Sequence, residues 1–137
     1  MLLDVRFLLE MLGAAAWTWT MEACERLLAH LGLRESEAAR GRRDFRAPSG
    51  LMASVHIGAD GSPTSIEFPF EVPLPIRTDP QDVARFVDLT ARPVNAILGE
   101  PTAANGASGG SRCWILPAAR IAVERSSGDT VSLIVAR

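Results

Sequence analysis

The sequence contains no lysine and no tyrosine, and all fourteen of its basic residues are arginine. A chain without lysine forms no lysine Schiff base with a carbonyl substrate and cannot supply the lysine of a phosphate-binding P-loop. Histidine and cysteine are also scarce, with only His30, His56, Cys24 and Cys113 present. These shortages limit the metal-binding and nucleophilic chemistry open to the chain.

The few histidines and cysteines do not have the spacing of a reactive centre. Neither histidine has a second ligand three or four residues away in a convincing context, so we predict no metal site. No Gly-x-Ser-x-Gly elbow frames a nucleophile, and a pairing of Cys113 with His56 is disfavoured. Both cysteines lie within apolar patterns and are expected to be buried free thiols, which is typical of a cytoplasmic protein. We therefore expect no enzyme activity and no cofactor.

The composition is that of a globular protein. The chain has 137 residues, of which 47% are hydrophobic and 22% charged, and this predicts a single domain over residues 1–137. A formal net charge of −2 argues against nucleic-acid binding. The apolar residues 1–16 include Asp4 and Glu10 and lack a basic leader, which favours an amphipathic helix over a targeting or membrane segment.

Three segments have the apolar periodicity of helices. They are residues 2–12, 21–31 and 80–98. Thr20 and Asp79 are expected N-caps, and Gly32 is expected to end the second helix in a left-handed conformation. Pro93 falls inside the third helix and is expected to kink it.

Five segments have strand patterns, and turn residues separate them. They are 51–57, 66–70, 112–116, 119–125 and 130–136. Pro69 restricts its strand to a sheet edge or to an end of the pairing. Residues 34–50 are expected to form a loop with a short edge strand near 43–48, and the Gly-rich residues 102–112 to be a flexible connector. This order predicts an α+β fold with a mostly antiparallel sheet of five to six strands and about three helices packed on one face.

A few exposed-looking residues are candidates for contact with a protein partner. Alternate residues at a helix start rarely both point inward, so one of Trp17 and Trp19 is expected to be partly exposed. Tryptophan and arginine are enriched at binding hot spots, and surface acids add charge complementarity. The predicted protein-binding residues are Trp19, Arg42, Arg43, Asp82 and Asp88.

Several short motifs resemble a family of small uncharacterised single-domain bacterial proteins from GC-rich genomes. The motifs are Trp17-Thr-Trp19-Thr20, Gly99-Glu100-Pro101-Thr102, Trp114-x-Leu116, Ile121-x-Val123 and Val131-x-Leu133. Residues 34–50 and Pro93 depart from the family pattern. The resemblance implies an immunity protein of a toxin system or a small chaperone of a secreted effector, and it provides no catalytic residues.

These observations lead to one expectation about function and two alternatives. We expect a non-catalytic immunity protein, a monomer or homodimer, that neutralises a bacterial toxin by direct binding and uses neither nucleic acid nor membrane as a partner. The alternatives are a chaperone of a secreted effector and a small-ligand-binding domain with a pocket between sheet and helices.

Overall fold

Two short helices, four strands, a long helix and four more strands follow one another along the chain. A computed structural model describes residues 3–73, 75, 79–105, 110–127 and 129–137. The helices are α1 (Val5–Gly13), α2 (Met21–His30) and α3 (Pro80–Leu98). The strands are β1 (Arg34–Ala39), β2 (Arg42–Arg46), β3 (Met52–Ile57), β4 (Pro63–Glu71), β5 (Ala103–Asn105), β6 (Ser111–Ile115), β7 (Arg120–Ser127) and β8 (Thr130–Ala136).

The strands form one sheet in the order β1-β2-β3-β4-β8-β7-β6-β5. Every neighbouring pair is antiparallel. The predicted α+β class with an antiparallel sheet is therefore confirmed. The predicted count of five to six strands is wrong, because the described residues contain eight.

The two strands that the sequence did not predict are β1 and β5. All six residues of β1 are exposed, so no alternation marks them, and β1 forms a hairpin with β2 where a loop was predicted. The turn of this hairpin uses Gly41 at a φ of 77°. The short strand predicted near 43–48 is β2, but it is not an edge strand, because β1 flanks it. The short strand β5 falls within the predicted connector at 102–112, of which residues 106–109 lie outside the described part of the chain.

The helix ends are set by the residues that the sequence indicated. The Thr20 hydroxyl accepts a hydrogen bond from the Ala23 amide at 3.1 Å, and the Asp79 carboxylate accepts one from the Gln81 amide at 2.9 Å. Gly32 has a φ of 86°. These contacts confirm the predicted caps of α2 and α3, and α3 continues through Pro93 as a single helix.

One face of the sheet packs against the helices. Its cross-strand neighbours Val55, Ile66, Val135 and Ile121 are fully buried. Helix α2 contacts β4, α3 contacts β6, β7 and β8, and α1 contacts α3. The helices and the inward-facing strand residues share one cluster of buried side chains. Every second residue of these strands is apolar and faces the helices, and this alternation accounts for the two-layer arrangement.

Pro69 lies in β4, which is a central strand and not an edge. The pairing of β3 with β4 ends at Ser54 and Glu67, whereas the pairing of β4 with β8 continues to Glu71. Pro69 is therefore beyond the end of the pairing on one side, which is the second arrangement that the sequence allowed. Within the described residues, no helix combines the length and the apolar character needed to cross a membrane.

Candidate functional site

The sheet has a second face on which the described residues pack no helix, and we call it the open face. Its side chains alternate with the buried ones. In β3, Ser54 and His56 point to the open face, whereas Ala53 and Val55 point to the helices. An antiparallel sheet tolerates water on one face when that face is polar, so the distribution of polar and apolar residues on the open face is informative.

A hydrogen-bonded group occupies the centre of the open face. Glu67 contacts His56 Nε2 through Oε1 at 3.2 Å, and Ser132 Oγ donates to Glu67 Oε2 at 2.6 Å. Ser132 is fully buried and also contacts Ser126 at 2.9 Å. In a Ser-His-Asp triad the histidine lies between the serine and the acid, whereas here Glu67 lies between Ser132 and His56. This arrangement fixes the strands and does not form a catalytic triad.

A polar hollow of about 580 Å³ lies over β1, β2 and β3. Asp44 forms its centre, since Ser54 Oγ donates to Asp44 Oδ1 at 2.7 Å and Arg42 Nε lies 3.2 Å from the same oxygen. Arg46 and Met52 line the hollow as well. The predicted binding residue Arg42 thus lies on the open face.

An apolar depression of about 240 Å³ lies over β6, β7 and β8. Cys113, Ala122 and Ile134 are cross-strand neighbours and form a continuous line. Arg120 is two residues from Ala122 on one side, and Glu124 is two residues away on the other. Protein interfaces commonly combine an apolar core with a polar rim, and this apolar floor with charged margins has the same arrangement.

Large hydrophobic residues are exposed at three described positions, and two of these are on the open face. Ile115, at the end of β6, is 60% exposed, and Met52 in β3 is 40% exposed. The third, Leu89, is 52% exposed and lies on α3. Ile115 is the cross-strand neighbour of Arg120, so it extends the apolar depression.

The five predicted binding residues do not share one surface. Trp19 is half-buried, donates from Nε1 to the Ala118 carbonyl at 2.8 Å and packs edge-on against Trp17. Asp82 and Asp88 lie on α3, where they pair with Arg85 at 3.2 Å and Arg112 at 2.8 Å. In the described part of the chain, no hydrogen bond or ion pair connects any two of the five.

Arg43 joins the β1–β2 hairpin to helix α2 on the side opposite Arg42. It forms ion pairs with Glu35 and, at 2.7 Å, with Glu25, and its guanidinium lies 5.7 Å from the centre of the Phe45 ring. The hydrogen bond from Arg43 lowers the pKa of Glu35. Glu35, in turn, raises the pKa of Arg43. These contacts hold the hairpin in position and leave little of Arg43 free for a partner.

The two cysteines differ, and the expectation that both are buried is wrong for Cys113. Cys24 is fully buried in α2, and burial, with a smaller effect of Glu25, raises its pKa to about 12. Cys113 is half-buried and points to the open face. No group of three potential ligands among His, Cys, Asp and Glu comes together in the described residues.

Sequence reasoning missed the residues of the apolar depression. Ile134 lies between Leu133 and Val135, which are both buried toward the helices. An aliphatic residue at the outward position of a strand indicates that both strand faces are apolar. That signal, together with Cys113 and Ala122 at outward positions, was present in the alternation of the last three strands.

Comparison with known proteins identifies the family of the chain. The model of DUF6301, a family of unknown function, matches residues 4–137. No curated protein and no solved structure matches the chain. The family match confirms the predicted membership of an uncharacterised family and assigns no role.

Proposed function

We propose that this chain, which belongs to the DUF6301 family of unknown function, has a non-catalytic role in which its open face binds another protein. More specifically, we propose that it is an immunity protein that acts in the cytoplasm and neutralises a bacterial toxin by direct contact. The toxin would be bound in a stoichiometric complex, and its active surface would be covered by the sheet.

The apolar depression over β6, β7 and β8 carries the proposal. Among the described residues no helix covers its floor of Cys113, Ala122 and Ile134, and Ile115 beside it is 60% exposed. Burying an aliphatic side chain of a partner here would remove both surfaces from water, at about 25 cal/mol per Å² of apolar area. Arg120 and Glu124 would exclude water around such an anchor, as the rim residues of hot spots do.

The polar hollow over β1, β2 and β3 would supply specificity. Arg42 and Arg46 offer guanidinium groups, and Asp44 and Glu37 offer carboxylates, within one hollow. Charges at the margin of an interface act mainly on the association rate and on the choice of partner. The proposed interface therefore divides between an apolar anchor site at one end of the sheet and a charged selectivity site at the other.

Two matched substitutions test the proposal in cells. The chain is co-expressed with the product of the adjacent gene, and growth is measured for the wild type, Ile115→Asp and Leu89→Asp. Both residues are large, exposed aliphatics, at 60% and 52% respectively, but only Ile115 is on the open face. We expect Ile115→Asp to abolish protection and Leu89→Asp to retain it.

Two results would contradict the proposal. One is a neighbouring product that is not toxic or that stays toxic in the presence of the wild-type chain. The other is equal protection by the two variants, which would exclude the open face as the interface. A stable dimer in light scattering that exposes an apolar patch and binds an unfolded segment would instead favour the chaperone alternative.

A further inference from the structure

A third concave region, on the helical side of the sheet, has the size of a small-molecule site. It has a volume of about 440 Å³ and lies between α3, the segment that follows α3, and β6. This volume is within the range of about 300 to 1,000 Å³ for ligand pockets. The cavity is lined by Asp88, Arg92 and Asn95, whose spacing of four and three residues puts them on one face of α3.

One wall of the cavity is fixed by an ion pair. Arg112 Nη2 lies 2.8 Å from Asp88 Oδ1, and Arg112 Nη1 donates to the Ser111 carbonyl at 3.3 Å. Trp114 is buried beside it and donates from Nε1 to the Gly99 carbonyl at 3.0 Å. These contacts connect β6 to α3, so the cavity has a rigid frame.

The cavity also contains polar groups that lack partners. Asn95 Oδ1 is buried and accepts no hydrogen bond from the described residues, which is unfavourable because a buried acceptor has lost its water. Arg92 and Glu100 are exposed at the mouth, and neither forms an ion pair within the part of the chain that the structure describes. One cation and one anion at the mouth are thus available to a ligand, whereas Asn95 Oδ1 is covered by the protein itself.

We propose that this cavity binds a free α-amino acid with an apolar side chain. The ammonium group would lie near Glu100, and the carboxylate would pair with Arg92. The apolar side chain would contact Ala91 and Trp114. A zwitterion fits because the lining offers both signs of charge in equal number, whereas a simple anion or cation would leave one of them unused.

Isothermal titration of the purified full chain tests the ligand class. The probes are L-phenylalanine, L-leucine and L-methionine, with phenethylamine and 3-phenylpropionate as analogues that each lack one charge. We expect at least one amino acid to bind and both analogues to bind at least tenfold more weakly. No binding by any of the three amino acids, or equal binding by either analogue, would overturn the proposal.

Substitutions on α3 test the assignment of residues. We expect Arg92→Gln to weaken binding at least tenfold, and Arg85→Gln to leave it unchanged, since Arg85 is on the same helix, pairs with Asp82 and lies outside the cavity. Equal effects of the two variants would contradict the role of Arg92. Neither arm depends on a protein partner, so the result is independent of the open-face proposal.

Glu100→Gln tests the ammonium end of the site. Glu100 is exposed at the mouth of the cavity, so we expect the thermal stability of the free protein to be unchanged while amino-acid binding weakens at least tenfold. Unchanged binding would contradict the placing of the ammonium group beside Glu100.

Discussion

At the scale of single residues, the two cysteines show how position within an element determines chemistry. Cys24 is on the inner face of α2 and is fully buried, and its pKa is raised to about 12. At pH 8, only about one in ten thousand thiol groups with that pKa is in the thiolate form, which is the reactive form. Cys113 is half-buried on the open face, within the apolar depression.

We therefore expect one fast-reacting thiol per native chain. Ellman's reagent at pH 8 should modify Cys113 in the folded protein, and the second thiol should react only after unfolding in guanidinium chloride. Cys113→Ser should abolish the native reaction and leave one thiol under denaturing conditions. Two fast thiols in the native protein, or a native reaction that persists in Cys113→Ser, would contradict the assignment of the faces.

At the scale of secondary-structure elements, two glycines separate conformational effects from packing effects. Gly32 follows α2 at a φ of 86°, and Gly13 ends α1 without a positive φ. A Cβ added at either position would meet no atom within 4 Å. Any difference between the two alanine variants therefore reports backbone conformation alone.

We expect Gly32→Ala to lower the free energy of unfolding by about 1 kcal/mol, because an L-residue is strained in the left-handed region. Gly13→Ala should be neutral or raise it by up to about 1 kcal/mol, because alanine is the better helix former. Urea unfolding followed by circular dichroism measures both. A loss of stability of similar size in both variants would contradict the left-handed cap.

The same elements show what the sequence could and could not predict. The caps at Thr20 and Asp79 and the strands near 51–57 and 130–136 were predictable, because capping and alternation are local signals. Strand β1 was not predictable, since all of its residues are exposed and its formation depends on pairing with β2. Its pairing is reinforced by Arg43, whose partners Glu25 and Glu35 lie 18 and 8 residues away.

The candidate site was harder to predict than the fold. Arg42 was identified by residue type and lies on the open face. Trp19 was identified in the same way, but it is partly covered and donates a hydrogen bond to the Ala118 carbonyl. Asp88 lines the cavity beside α3 and is bonded to Arg112, 24 residues away. Residue type indicates what a side chain is able to contact. The shape of a surface depends on strand order, which a single sequence does not contain.

At the scale of the whole molecule, stability is expected to be uneven across the sheet. Strands β4 and β8 are central and contain fully buried residues such as Phe68 and Leu133. Strand β1 is at the edge of the described sheet, where β2 is its neighbour, and it is exposed on both faces. Local opening requires less free energy where few apolar contacts are lost, so the β1–β2 hairpin should open without global unfolding.

Hydrogen exchange measured by mass spectrometry or NMR should detect this gradient. We expect hydrogen-bonded amides of β1 to exchange at least about a hundredfold faster than those of β8 in the same sample, because β1 opens locally whereas β8 exchanges through global unfolding. Arg43→Gln should accelerate exchange in β1 further and leave β8 almost unchanged, since Arg43 connects the hairpin to Glu25 of α2. Equal protection of β1 and β8 would mean that the hairpin belongs to the cooperative core, and the polar hollow that it lines would then be rigid rather than adaptable to a partner.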